Sequence, residues 1–147
     1  MINSGLFSSA SDSWDTPQAL FDRLHAKYQF GLDVCATAEN SKCGYFFDKD
    51  DDGLKQNWAE FIQLHISGNC WMNPPYGREI GKWVKKAYEE SLNGVAVVCL
   101  LPARTDTRWF QDYCIPFGKI EFIRGRLKFG GSKNSAPFPS CIVVFGE

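Results

Sequence analysis

The sequence contains no uninterrupted apolar run of about 18 residues or more, which argues against a membrane-spanning helix. Its start, MINSGLFSSASDSWD, lacks the basic and apolar blocks of a secretory signal. Histidine is scarce, with two residues, and none of the six cysteines (Cys35, Cys43, Cys70, Cys99, Cys114, Cys141) forms a C-x-x-C pair. A zinc centre of ordinary spacing therefore has no ligand set, and no metal is expected. Several cysteines sit inside apolar runs such as VVCLL and SCIVVF, where the thiol acts as a small hydrophobe. Reduced thiols and a cytoplasmic setting are the expectation. Internal repeats and interdomain linkers are also missing.

What is present suits one soluble globular domain over residues 1–147, with 44% hydrophobic and 22% charged residues. Residues 1–13 are polar and serine-rich and are expected to be flexible. Charge is divided unevenly. Residues 1–72 hold five Lys/Arg against ten Asp/Glu, and residues 73–147 hold eleven against seven. A basic second half can meet a polyanion, or it can be an ordinary solvated face.

In TPQALFDRLHAKY, Thr16 can cap a helix, Pro17 suits its first turn, and Leu20, Phe21 and Leu24 share a face. FGLDVCA alternates as a strand, ATAENSKC reads as a turn or short helix, and GYFF as a second short strand. The acidic loop DKDDDG leads into a short helical piece, and GNCWM is the next strand. REIGKWVKKAYEESLNG places Ile80, Trp83, Val84, Ala87 and Tyr88 on one helical stripe. VAVVCLLP has the continuous apolar character of a central parallel strand. RTDTRWFQDYCI reads as helical, and the tail as two or three strands around a Gly/Ser/Pro loop. This alternation predicts an α/β, Rossmann-like fold with a mostly parallel central sheet and an antiparallel C-terminal hairpin. Such sheets bind ligands beyond the carboxyl ends of their strands. Asp33, the acidic loop, Asn73–Tyr76 and Pro102–Arg104 all fall on that rim.

The stretch WMNPPYG, residues 71–77, ends a strand with two residues that lack a backbone donor. An exocyclic amine on an aromatic ring is a poor nucleophile, because its lone pair is delocalised. Two acceptors that each take an N–H favour a pyramidal nitrogen and free that pair. The Asn73 side-chain oxygen and the Pro74 carbonyl, held by the fixed φ of the proline pair, can supply them. Tyr76 offers a ring face for a base taken out of its stack. Without that context the same four residues are only a rigid corner with a core tyrosine.

NPPYG resembles motif IV of S-adenosylmethionine-dependent amino-methyltransferases. Together with WDTPQALFDRL, LDVCATAENSKC, DDDGLKQNW, LLPARTDTRWF and RGRLKFGG…APFPSCIVV, it is similar to the Dam-like DNA N6-adenine methyltransferase family of phages and prophages. The resemblance runs from Ser13 onward in family order. It implies a class I methyltransferase fold, S-adenosyl-L-methionine as cofactor, and transfer of a methyl group to adenine N6 in double-stranded DNA, with GATC as a candidate site. Carried over, Asn73, Pro74 and Tyr76 form the catalytic set and Pro75 shapes the corner. Asp33, Cys35 and Ala36 line the cofactor's amino-acid end, and Trp14, Thr16 and Pro17 close over it. Asp48, Asp50 or Asp52 faces its ribose or adenine, followed by Leu54 and Trp58. One departure stands out: DVCATAEN replaces the glycine-rich loop expected after the first strand.

The basic residues Arg104, Arg108, Arg124, Arg126, Lys128 and Lys133 are the candidates for contact with DNA. Arg104 can instead pair with Asp106 or Asp112. Asp50–Asp52 lacks the spacing of a calcium loop, and Trp71 and Trp83 read as core. His25 and His65 receive no role. No separate target-recognition domain is expected, so specificity falls to loops. A monomer and a homodimer are both open, and the host-cell cytoplasm is the location the resemblance implies. The alternatives are transfer to another planar amine (RNA adenine, cytosine N4 or protein glutamine) and an inactive nucleic-acid-binding protein of the same fold.

Overall fold

Among the described residues Pro17 starts the first helix, and it does so at the expense of Thr16. In the computed structural model, which describes residues 14–130 and 132–147, helix α1 spans Gln18–Tyr28. Pro17 occupies its capping position, and no side chain caps it. The expectation that Thr16 caps this helix is therefore corrected. A residue before proline is held extended, which sets Thr16 outside the helix and turns its hydroxyl toward Asn73. The expectation of a flexible segment at 1–13 concerns residues outside the described ones.

The strands are β1 (Phe30–Asp33), β2 (Tyr45–Phe46), β3 (Asn69–Met72), β4 (Val97–Pro102), β5 (Lys119–Phe122) and β6 (Ser140–Phe145). They form one six-stranded sheet in the order β2-β1-β3-β4-β6-β5. The β1–β2, β1–β3 and β3–β4 pairs are parallel. β6 runs antiparallel to both β4 and β5, which leaves β5 pointing the same way as β4. The sheet is thus mostly parallel, with an antiparallel C-terminal pair, as the sequence predicts. The pair is joined by the long segment 123–139 rather than a tight turn.

The other α-helices among the described residues are α2 (Trp58–His65), α3 (Ile80–Ser91) and α4 (Ile115–Phe117), with a π-helical turn, Phe110–Cys114, running into α4 and a 3-10 turn at Gly53–Lys55. Asn57 caps α2 by accepting the Glu60 N–H at 3.0 Å. On α3 the stripe read from the sequence is realised: Ile80, Trp83, Val84 and Ala87 are buried and Tyr88 is half-buried.

Side-chain alternation along β3 assigns the layers. Trp71 packs edge-on against Phe21 of α1. Its neighbour Cys70 lies near Glu90 of α3. The two helices therefore cover opposite faces. β4 and β6 are buried at every position, and β5 forms an exposed edge. An ion pair from Arg23 of α1 to Glu121 and another from Lys119 to Glu147 guard that edge. All six cysteines are free, and burial pushes the thiols of Cys35, Cys43, Cys114 and Cys141 up to about 12. Among the described residues, no helix is long and apolar enough to cross a membrane.

Candidate active site

A cavity of about 620 Å³ opens where β1 and β3 end. Its floor is β1, whose last residue, Asp33, is only 3% exposed. Asp33 Oδ1 accepts the Cys35 N–H at 3.3 Å and Oδ2 accepts the Lys42 N–H at 3.1 Å. Burial outweighs these bonds and raises the carboxyl from 3.8 to about 7. A buried acid balanced near neutrality favours a cationic neighbour, which would restore its charge.

The segment after β1 lacks the usual glycines and is shaped by side chains instead. Asn40 Oδ1 accepts the Thr37 N–H at 2.7 Å, and Thr37 Oγ1 accepts the Asn40 N–H at 3.2 Å. Asn40 Nδ2 also donates to Asp15 at 3.1 Å, tying this loop to the segment that precedes α1. Cys35, Ala36, Thr37 and Asn40 all line the cavity. The sequence reading does not single out Thr37 and Asn40, although the Thr-x-x-Asn spacing carries the reciprocal bonding pattern.

The acidic loop supplies the opposite wall. Asp48 Oδ1 accepts the N–H groups of Asp50 and Asp51, each at 3.0 Å. The Asp51 N–H bond leads in holding the Asp48 carboxyl below its ordinary value. Asp52 sits at a φ of 57° and accepts the Leu54 N–H at 3.2 Å. Gly53 follows because nothing larger fits: a Cβ there would lie 2.2 Å from the Val34 carbonyl oxygen and 2.9 Å from the Trp83 ring. Asp48 and Asp52 line the cavity, whereas Asp50 is exposed and does not. Trp71 and Trp83, read as core, are buried and also form part of the wall, as do Lys49 and Glu79.

The proline corner closes the remaining side. Asn73, Pro74 and Pro75 line the cavity together with Trp14 and Thr16, while Pro17 does not. Asn73 Nδ2 donates to the Trp14 carbonyl and, at 3.0 Å, to Thr16 Oγ1. Tyr76 is 3% exposed and stands apart from the cavity lining. Its hydroxyl lies 2.8 Å from Asn73 Oδ1 and 3.0 Å from the Leu100 carbonyl oxygen. Phe129 and Phe138 meet its ring edge-on, and both also contact Trp14. In this conformation the tyrosine face is enclosed.

Arg104 donates to the Tyr76 carbonyl at 3.4 Å and lies over the Phe138 ring, 6.0 Å from its centroid. It forms no ion pair with Asp106 or Asp112. Arg108, Arg124, Arg126, Lys128 and Lys133 are exposed, and with Arg104 none of them is ion-paired to a described carboxylate. Among the described residues, no group of three or more His, Cys, Asp or Glu side chains is arranged to hold a metal ion.

Comparison with known proteins gives a consistent picture. The family model described as DNA N-6-adenine-methyltransferase (Dam) matches residues 3–144. A DNA N-6-adenine-methyltransferase of Haemophilus phage HP1 is 30% identical over 99% of this chain and 84% of its own length. One of Escherichia phage T1 is 34% identical over 69% of this chain, a match that spans only 40% of the T1 protein. A putative methyltransferase of Escherichia coli, YfdM, is 30% identical over 44% of this chain and 71% of its own length.

Proposed function

The chain belongs to the DNA N-6-adenine-methyltransferase (Dam) family, and from that premise we propose that it transfers a methyl group from S-adenosyl-L-methionine to N6 of an adenine taken out of double-stranded DNA. The observation that carries this reading is the shared cavity: the Asn73–Pro74–Pro75 corner and the buried Asp33 carboxyl line the same space. Its volume falls within the usual range for a small-molecule site.

The chemistry of the lining suits the cofactor. Asp33, poised near 7, meets the cationic amino group of the amino-acid end, with Cys35 and Ala36 beside it. Asp48 or Asp52 accepts from the ribose hydroxyls, and Leu54 and Trp83 give apolar walls for the adenine ring. Trp14, Thr16 and Pro17 form the strap over the opening. When bound, the cofactor supplies an electrophilic methyl group on a sulfonium sulfur.

The chain's own residues act on the amine. Asn73 Oδ1 and the Pro74 carbonyl each accept one N6–H, so the nitrogen lone pair is free to attack. The bound cofactor would supply the methyl group and leave as the neutral thioether, and N6 would give its surplus proton to water. Pro75 keeps the corner rigid. For the base to stack on Tyr76, Phe129 and Phe138 must give way. Arg104, Arg108, Arg124, Arg126, Lys128 and Lys133 take the phosphates, and loop 123–139 reads a short site, for which the resemblance suggests GATC.

Incubation with methyl-labelled cofactor and, separately, DNA, RNA and protein tests this. Label in DNA adenine is the expected result. Label only in RNA, in cytosine or in protein overturns it, and DNA binding without any transfer assigns the inactive alternative.

A further inference from the structure

We propose that Thr16, with the main-chain carbonyl of Trp14, decides which end of the Asn73 amide faces the substrate amine, and that this strap makes asparagine rather than aspartate the working residue at position 73. The inference rests on the methyl-transfer reading and adds a positioning role that the reading does not contain.

An amide side chain has an acceptor end and a donor end of nearly equal size. Only the oxygen helps an amine, because a turned amide would set N–H against N–H. In this structure the donor end is fully engaged. Asn73 Nδ2 carries two protons, and it has two acceptors, the Trp14 carbonyl and Thr16 Oγ1, the latter at 3.0 Å. A reversed amide would bring Oδ1 against the Trp14 carbonyl, acceptor facing acceptor.

Both acceptors are themselves fixed. Thr16 is 5% exposed and is held extended by the proline that follows it. Trp14 is wedged against Phe129 and Phe138. At the other end of the amide, Oδ1 is near the Tyr76 hydroxyl and keeps a second lone pair for the incoming N–H. The strap therefore presets the oxygen before any base arrives.

The same geometry discriminates against a carboxylate. An ionised aspartate at 73 has no proton for the Trp14 carbonyl, so two acceptors would be forced together. Protonation would restore one donor. Residue 73 and the strap are thus matched as a pair.

The test compares wild type with Thr16→Val, Thr16→Ser and Asn73→Asp. Single-turnover methylation of duplex DNA is measured alongside affinity for the demethylated cofactor by calorimetry and hydrogen exchange of the Asn73 side-chain amide by NMR. Measured at saturating cofactor, Thr16→Val should lose on the order of 10- to 100-fold in the methylation step, with faster amide exchange. Thr16→Ser should recover most of the rate. Asn73→Asp should be inactive at high pH and gain rate relative to wild type as pH falls.

A wild-type rate and unchanged amide exchange in Thr16→Val would overturn the proposal. So would a rate loss that disappears at saturating cofactor, or an Asn73→Asp enzyme as fast as wild type at high pH. If wild type itself fails to label DNA adenine, the methyl-transfer reading falls. The amide exchange still judges the strap in that case.

Discussion

The Tyr76 hydroxyl lies 2.8 Å from Asn73 Oδ1, so the two polar members of the corner touch each other before either can touch a substrate. The tyrosine has one proton and two acceptors in reach, Asn73 and the Leu100 carbonyl. Tyr76→Phe keeps the ring among Phe129 and Phe138 and deletes the hydroxyl. We expect a stability loss of about 1 kcal/mol and a partial loss of turnover. Tyr76→Ala empties a buried aromatic site and should cost about 3–5 kcal/mol. Denaturant melts of the two variants beside single-turnover rates separate the roles. Equal stability loss in both would contradict the packing described.

Asp33 gives a pH signature with a definite sign. Its carboxyl rises from 3.8 to about 7 on folding, so the folded chain holds an extra proton between those values. The stability this group contributes is present in full below about 3.8 and is lost as pH rises through about 7. The stability difference between wild type and Asp33→Asn should therefore fall across that window and level off above it. A cationic amino group seated beside Asp33 would lower its value again. Calorimetry of cofactor binding near neutral pH, in two buffers of different ionisation enthalpy, should then detect release of a fraction of a proton. Proton uptake would contradict the placement of the amino group.

The unpaired cations of loop 123–139 predict a salt effect. Replacing Arg124, Arg126, Lys128 or Lys133 by alanine should weaken DNA binding similarly for different sequences. Each cation that neutralises a phosphate should, once removed, reduce the steepness of log K against log salt by about one. Fluorescence titrations at several salt concentrations measure this. An unaltered slope in all four variants would remove the loop from the DNA surface.

Glu90 offers a test independent of function. It is buried on α3, accepts the Ala59 N–H at 3.0 Å and pairs with Lys86 at 2.8 Å. Glu90→Ala leaves both partners without it and should cost about 3 kcal/mol or more in chemical denaturation. A loss below about 1 kcal/mol would show that the pair adds little.

The sheet was legible because its signals are periodic and local. VAVVCLLP could hardly be anything but a central strand, and the α3 stripe repeats every three or four residues. The proline pair marked the end of β3 for the same reason. What stayed hidden depends on contacts between segments distant in sequence. Nothing in WDTP says that Thr16 gives up its helix for Asn73, a residue 57 positions away. Nothing in NPPY says that Phe129 and Phe138 will enclose the tyrosine. Trp71 and Trp83 are both core and cavity wall, a double use that hydrophobicity does not distinguish.

The base of loop 123–139 has a consequence beyond this chain. The Ile123 N–H donates to the Ser140 carbonyl at 3.0 Å, so the segment leaves and re-enters the sheet at one point. Closing a longer loop across such a pinned gap costs little extra entropy. Length can therefore vary at its exposed positions, while Phe129 and Phe138 anchor it to Trp14 and Tyr76. Exchanging it between relatives should leave the corner undisturbed only where the rings at 129 and 138 are kept, because they enclose Tyr76 and hold Trp14.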